Sequence, residues 1–240
     1  MTCYFISDLH LDETRPAVTR AFLHYLQQWA GHCDALYILG DFFEVWVGDD
    51  DDAPLALAII KALKAFSDSG SALYIMHGNR DFLLGESFCQ QTGATLLPDP
   101  TVIDLYGQRT LLMHGDSLCT QDTEYMAFRQ QARSASWQQQ LLSQPLAARR
   151  ALATQLREQS QSMNALKAED IMDVTPAEVE QVMRQQLCLR LIHGHTHRPH
   201  RHAMNLDGQK AERIVLGDWC DKAWILKAQA QSLELQAFKL

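Results

Sequence analysis

A chain of 240 residues, 47% hydrophobic and with a formal net charge of −8, is long enough for one sizeable core, or for one core carrying an insertion. The acidic balance, densest at Asp49 to Asp52, argues against a nucleic-acid partner, which would need clustered Lys and Arg; bound cations could still draw in a phosphorylated small molecule. Six scattered cysteines with no Cys-x-x-Cys pair, a first apolar run close to Met1 and no run of ~18 apolar residues together lead to the expectation of a cytosolic chain with reduced thiols, no signal peptide and no spanning helix.

The elements alternate from the start. Cys3 to Ser7 reads as a buried strand. Arg15 to Ala30 has the spacing of an amphipathic helix, with Val18, Phe22, Leu26 and Trp29 on one face and Gly31 as its stop. Ala35 to Leu39 is a second strand. Pro54 to Phe66 is a second helix, opened by Pro54 and carrying Leu55, Ile59, Ile60, Leu63 and Phe66 on its apolar face. Ala72 to Met76 and Thr110 to Met113 are further strands, with a short helix expected over Phe82 to Gln91. From about Thr120 to Ala168 the chain is rich in Gln, Ala, Leu and Arg and has no glycine. A helical hairpin broken near Pro145 is expected there, as an insertion within a single domain spanning 1–240. Thr175 to Glu178 has the form of a capping box for a helix to about Gln186. Strands return at Leu189 to Ile192, Arg213 to Leu216, Trp224 to Ala228 and Leu233 to Phe238.

The apolar runs of the first five strands each end in a polar cluster: Asp8-Leu9-His10, Gly40-Asp41, Gly78-Asn79-Arg80-Asp81, His114-Gly115-Asp116 and Gly194-His195-Thr196-His197. Ligand sites in α/β folds collect where strand ends meet loops, so these clusters converge. In extended chain, residues two apart point the same way, so Asp8 with His10, and His195 with His197, can each grip one ion. Asp41 has two carboxylate oxygens and could bridge two ions; Asn79 offers a neutral carbonyl oxygen and His114 an imidazole. Donors of oxygen and nitrogen without thiolate favour Mn or Fe(II), or Zn, over a closed structural zinc site. Two divalent ions would outweigh the charges of Asp8 and Asp41, and the excess suits a phosphate. Each cluster alone is also readable as a turn. His77 and His193 read as strand-end groups or as supports for the ligands. His24, His32, His200 and His202 read as surface residues. Asp116 either orients His114 or forms a turn.

These clusters, in this order, resemble the calcineurin-like metallophosphoesterase superfamily, whose pattern they follow over residues 8–197. The resemblance implies an α/β metallophosphoesterase fold: two stacked mixed β-sheets flanked by helices, here with the helical insertion as a cap. It implies that Asp8, His10, Asp41 and His197 hold one ion, and Asp41, Asn79, His114 and His195 the other. One departure matters. The superfamily's usual histidine after the asparagine is Arg80, which cannot protonate an alcohol leaving group but can hold phosphate oxygens through paired hydrogen bonds. That shifts the expected substrate from monoesters toward a pyrophosphate.

Ile6-Ser7-Asp8-Leu9-His10-Leu11, Gly40-Asp41-Phe42-Phe43-Glu44-Val45-Trp46, Gly78-Asn79-Arg80-Asp81-Phe82 and the insertion are similar to one branch of that superfamily, which acts in the lipid A biosynthesis of Gram-negative bacteria. Its members cut the pyrophosphate bond of a UDP-linked diacylglucosamine at the α-phosphorus, using water activated between two metal ions. The resemblance implies Mn(II) as the working metal pair, Arg80, Asp41, His114 and His195 as catalytic residues, and substrate contacts from Asn79, Arg80, Asp122, Ser160, Asn164, Lys167 and His195. It further implies a lipid-linked substrate and peripheral attachment to the cytoplasmic face of the inner membrane; no obligate protein partner is expected. A soluble nucleotide or dinucleoside polyphosphate hydrolase of the same superfamily is the alternative.

Within the insertion, Arg157, Ser160, Asn164 and Lys167 share one sector at helical spacing, beside an apolar stripe of Leu152, Leu156, Met163 and Leu166. A charged head with fatty tails would suit both strips; an ordinary helix with a solvated face would show the same periodicity. Tyr125, Phe128, Trp137, Leu141 and Leu142 read as an acyl groove, a membrane-resting surface or the hairpin's own packing, and Trp46 and Phe82 as substrate contacts or core.

Overall fold

The computed structural model describes residues 1–164, 171 and 173–240, with side chains described for all of these except 159–164. In chain order the elements are β1 (Cys3–Ile6), α1 (Pro16–Trp29), β2 (Ala35–Leu39), α2 (Pro54–Asp68), β3 (Ala72–Met76), α3 (Glu86–Thr92), β4 (Thr95–Leu97), β5 (Thr101–Leu105), β6 (Gln108–Met113), α4 (Thr123–Ala132), α5 (Ala135–Leu142), α6 (Leu146–Asn164), α7 (Pro176–Gln185), β7 (Arg190–His193), β8 (His200–Leu206), β9 (Gln209–Val215), β10 (Lys222–Gln229) and β11 (Ser232–Lys239). They build two mixed sheets, ordered β11-β10-β1-β2-β3-β4 and β5-β6-β7-β9-β8. β1 to β4 run parallel, as do β6, β7 and β9; β10, β11, β5 and β8 join antiparallel.

Side-chain alternation along the strands explains the layering. Ile6, Leu36, Ile38 and Ile75 point outward against Phe22, Leu26, Ile59 and Leu63 of α1 and α2. Phe5, Leu39 and Met76 point inward and meet Leu112, Ile192 and Ile214 of the other sheet. Leu111, Met113 and Leu191 face out again, under Val179 and Met183 of α7. The strands are buried on both faces, hence their unbroken apolar runs.

The differences from the expected elements have local causes. The third helix starts at Glu86, not Phe82. The buried Asp81 carboxylate accepts from the backbone N–H groups of Gly78 and Phe42, each at 2.7 Å, and Leu84 N–H closes a turn onto Asp81 O, so residues 82–84 are held outside a helix. The insertion forms three helices rather than a two-helix hairpin: it breaks near Pro145 as expected and also at the extended Ser134. Thr175 makes no side-chain cap to α7; its hydroxyl accepts from Thr120 Oγ1 at 2.8 Å instead. β4, β5 and β8 carry mixed or mostly exposed side chains and lack the apolar runs that mark strands such as β2 and β3.

Candidate metal centre and substrate cleft

The C-terminal ends of β1, β2, β3, β6 and β7 open on one side of the molecule. The backbone there is unusual: Asp8, His10, Asp41, His195 and His197 all have left-handed φ, at 56°, 49°, 49°, 68° and 55°. Such conformations cost about 1 kcal/mol or more for a residue with a side chain and persist where the surroundings fix them. Here Asp8 N–H donates to Gly40 O at 3.1 Å, His10 N–H to Asp41 O at 3.0 Å and Gly194 N–H to His114 O at 2.8 Å. Neighbouring loops also press together. A Cβ on Gly78 would strike the backbone nitrogen and carboxylate of Asp41, and one on Gly194 would strike the side chains of Ser7 and Asp8.

Two donor groups result. Asp8, His10 and His197 form one; Asp41, His114 and His195 form the other. His10 Nε2 lies 3.2 Å from His197 Nε2, and His197 Nε2 lies 3.5 Å from Asp8 Oδ1. Asp41 stands between the groups, Oδ2 3.8 Å from His10 Nε2 and Oδ1 3.7 Å from His114 Nε2. Asn79 Oδ1 completes the second group, 3.1 Å from His114 Nε2 and 2.9 Å from His195 Nδ1.

The donor chemistry fits divalent cations. His114 Nδ1 donates to Leu39 O at 2.9 Å, which leaves Nε2 to face Asn79 Oδ1 and Asp41 Oδ1. Three electron-rich atoms converge there and need a positive charge between them. Burial opposes a proton on His114, yet the carboxylates of Asp41, Asp116 and Asp8 raise its pKa to about 9. Burial, and then the His114 charge, push His195 down to about 4, so its lone pair is available. His10 is lowered by burial. Its Nδ1 lies 3.1 Å from Glu44 Oε2 without the alignment of a hydrogen bond; behind metal-binding imidazoles a carboxylate in that place accepts the ring N–H.

A model of the calcineurin-like phosphoesterases matches residues 1–199. The chain belongs to that family. It is 60% identical over 236 residues, 98% of each chain, to a protein of Cellvibrio japonicus named UDP-2,3-diacylglucosamine hydrolase. It is 52% identical over 240 residues, the full length of both, to one of the same name from Pseudomonas aeruginosa. Among solved structures, a novel archaeal phosphodiesterase superposes over 100% of both chains with a TM-score of 0.52 at 14% identity, a likeness of fold. Family membership brings divalent metal ions with it, and the donor groups above are where this chain would hold them.

Beside the metal centre a cleft of about 480 Å³ separates core from insertion. Its floor is His10, Asp41, Asn79, Arg80, His195 and His197; its far wall is Tyr125, Phe128, Trp137, Leu141, Leu152 and Leu156. Leu142, grouped with these by its sequence position, is 44% exposed and does not line it. Trp46 and Phe82 line the cleft and also pack inward, Trp46 against Phe43 at 4.6 Å. Arg80 Nε is buried with no hydrogen-bond partner among the described residues, so the guanidinium reaches the cleft uncommitted. Asp122 is buried, lines the cleft and caps α4 by accepting from Tyr125 N–H at 3.1 Å. Arg157 pairs with Glu44. Ser160, Asn164 and Lys167, with Met163 and Leu166, lie outside the residues whose side chains are described.

Asp116 does not orient His114. It accepts from Tyr125 OH at 2.5 Å and Arg129 Nε at 2.8 Å, anchoring the insertion to the core. His77 is tied to Leu84 O at 2.6 Å, and buried His193 to Gly194 O at 2.9 Å. His202 is half-buried on β8 rather than a free surface residue, and its ring stands 4.6 Å from that of exposed His200. The place of Glu44 behind His10 escapes sequence reasoning because a single acid beside a motif has no spacing signature; its position three residues after Asp41 is the available hint.

Proposed function

We propose that the chain hydrolyses the pyrophosphate bond of UDP-2,3-diacylglucosamine at the α-phosphorus, releasing UMP and 2,3-diacylglucosamine 1-phosphate for lipid A synthesis. The observation that carries this reading is the placement of uncommitted Arg80 between a two-part metal centre and a large, mostly apolar-walled cleft. The names of the full-length relatives agree with it. Two divalent ions, Mn(II) in the first instance with Fe(II) or Zn as substitutes, would polarise phosphoryl oxygens and make water a nucleophile near neutral pH.

The chain's own groups do the rest. Asp8, His10, Asp41, Asn79, His114, His195 and His197 hold the ions, and Asp41 lies between the two groups. Arg80 binds the phosphate oxygens as charge moves onto them, a preorganised positive charge in a partly dry site. It donates no proton, and a sugar phosphate leaving as an anion needs none. Asp122, Ser160, Asn164 and Lys167 contact the sugar and head group, and the apolar wall receives acyl chains. No helix among the described residues is long and apolar enough to cross a membrane. On the lipid A reading the chain would act in the cytoplasm and meet its lipid at the inner-membrane surface through the insertion.

The test is turnover of UDP-2,3-diacylglucosamine in detergent with Mn(II) in oxygen-18 water. Label is expected in UMP. Label found only in the lipid phosphate would overturn attack at the α-position. Faster turnover of diadenosine polyphosphates would replace the lipid substrate with a soluble one.

A further inference from the structure

A second cavity, of about 260 Å³, lies behind the His195–His197 loop and meets the large cleft at Thr196 and Arg198, which line both. Its other walls include Asp173, His200, His202 and Arg213. It is smaller than the ~300–1,000 Å³ of a whole small-molecule site, and so suits one part of a ligand. Two of its polar groups stand open. Arg213 forms no ion pair among the described residues; its Nη1 lies 3.3 Å from His193 Nε2, to which it donates. The Thr196 hydroxyl is buried without a partner among the described residues. A buried hydroxyl without a partner is costly.

The charge balance says what would meet them. Arg198 is engaged with Asp173 at 2.7 Å, and the same carboxylate acts on Arg213 at longer range, so two guanidinium groups and one carboxylate leave the cavity one net positive charge. One charge beside a hydroxyl and two imidazole rings is a poor trap for a free phosphate dianion. It is a good match for a flat heterocycle with carbonyl oxygens, which a guanidinium can bond and a ring can stack against. Under the hydrolase reading above, the α-phosphorus at the metal centre must carry two unlike groups in different directions. The large cleft is walled by apolar side chains and takes the acylated sugar. The polar cavity across the Thr196 loop is left for the other group.

We propose that this cavity is the nucleoside subsite, in which Arg213 and Thr196 bond the pyrimidine or ribose oxygens of the UMP half and the His200–His202 pair flanks the base. The proposal rests on the hydrolase reading but is separable from it.

The test uses Mn(II)-loaded protein and two variants, Arg213→Gln and His202→Ala. UMP affinity is measured by calorimetry, and kcat and KM are measured on UDP-2,3-diacylglucosamine and on bis(p-nitrophenyl) phosphate, which has no nucleoside. Losing a charged hydrogen bond should weaken UMP by about ten-fold, and the variants should lose about ten-fold more kcat/KM on the UDP substrate than on the ester, chiefly through KM. UMP affinity unchanged in both variants, or equal losses on both substrates, would overturn the subsite. If wild-type protein bound UMP in this Arg213-dependent way yet did not turn over the lipid substrate, the subsite would stand and the substrate assignment would fall.

Discussion

The two sheets with their flanking helices and the α4–α6 helices, the proposed cap, are built on different physics. In the core, Asp8, Asp41 and His114 are nearly inaccessible, at 0%, 2% and 0% exposure, and each is fixed by backbone bonds at the end of a strand buried on both faces. In the cap, α5 has no fully buried residue and α4 buries only Ala132. Arginines fasten it instead. Arg129 meets Asp116 at 2.8 Å, and Arg133 donates to Gly78 O at 2.9 Å. Arg149 donates to Val47 O at 2.5 Å and to Asp50 Oδ1 at 2.7 Å; Arg157 pairs with Glu44. Dense packing holds metal donors to tenths of an ångström, as chemistry requires. Asp116 and Arg149 are themselves buried, so losing either partner of these contacts is costly, while the exposed carboxylate of Asp50 leaves the Arg149 pair open to screening by salt.

The contrast can be broken most severely at Asp41. Asp41→Asn should lower turnover of both the lipid substrate and a small ester by ~10³-fold or more, because it weakens both donor groups at once. Retained activity in that variant would remove Asp41 from its position between the ions. Arg80→Ala should cost ~10²–10³-fold in kcat with metal content unchanged, as expected of a group that acts on the phosphate alone. Glu44→Gln sits at the boundary between the regions: it should weaken Mn(II) at the His10 group by ~10–100-fold in a calorimetric titration and leave the other ion's affinity alone. Arg149→Met is the corresponding cap lesion. It should raise KM for the lipid substrate by about three- to ten-fold and leave small-ester turnover near wild type. Added salt should mimic it in the unaltered protein; a matching drop on both substrates would mean that cap and core are one rigid body.

The smallest expected effect is on stability. Both oxygens of Asp99 are buried without a partner among the described residues, and burial, then the Asp116 charge, raises its pKa to about 6 from the ordinary 3.8. Below pH ~4 the carboxyl is protonated folded or unfolded. Between 4 and 6 only the folded chain keeps the proton, so stability falls as pH rises, and above 6 the burial penalty is complete. Asp99→Asn should therefore raise the melting temperature at pH 8, by up to an effect on the order of 2–3 kcal/mol, and give no gain at pH 4. An equal gain at both pH values would locate the effect elsewhere.

The core was readable from sequence because its signals are local and repeated. Strands such as Ala35–Leu39 and Ala72–Met76 are apolar throughout, and each ends at a polar residue two or fewer positions from a glycine or histidine. The seven proposed ligands follow the same rule. The rest depends on long-range pairings with no spacing signature. Asp116 serves Tyr125 and Arg129 rather than His114, and Thr175 turns to Thr120, 55 residues away, instead of capping its own helix. The edge strand β8 is recognisable only through its pairing with β9. The proposed substrate contacts of Ser160, Asn164 and Lys167 rest on periodicity and resemblance, since those side chains lie outside the described ones.

Two cations side by side on the core are the central claim, and manganese titration followed by electron paramagnetic resonance reads it directly. Metal-free protein should take up two Mn(II) per chain and show the signature of a spin-coupled pair, and Asp41→Asn should abolish the coupling. Uptake of a single ion, or of two that never couple, would contradict a shared Asp41 and the hydrolytic centre built around it.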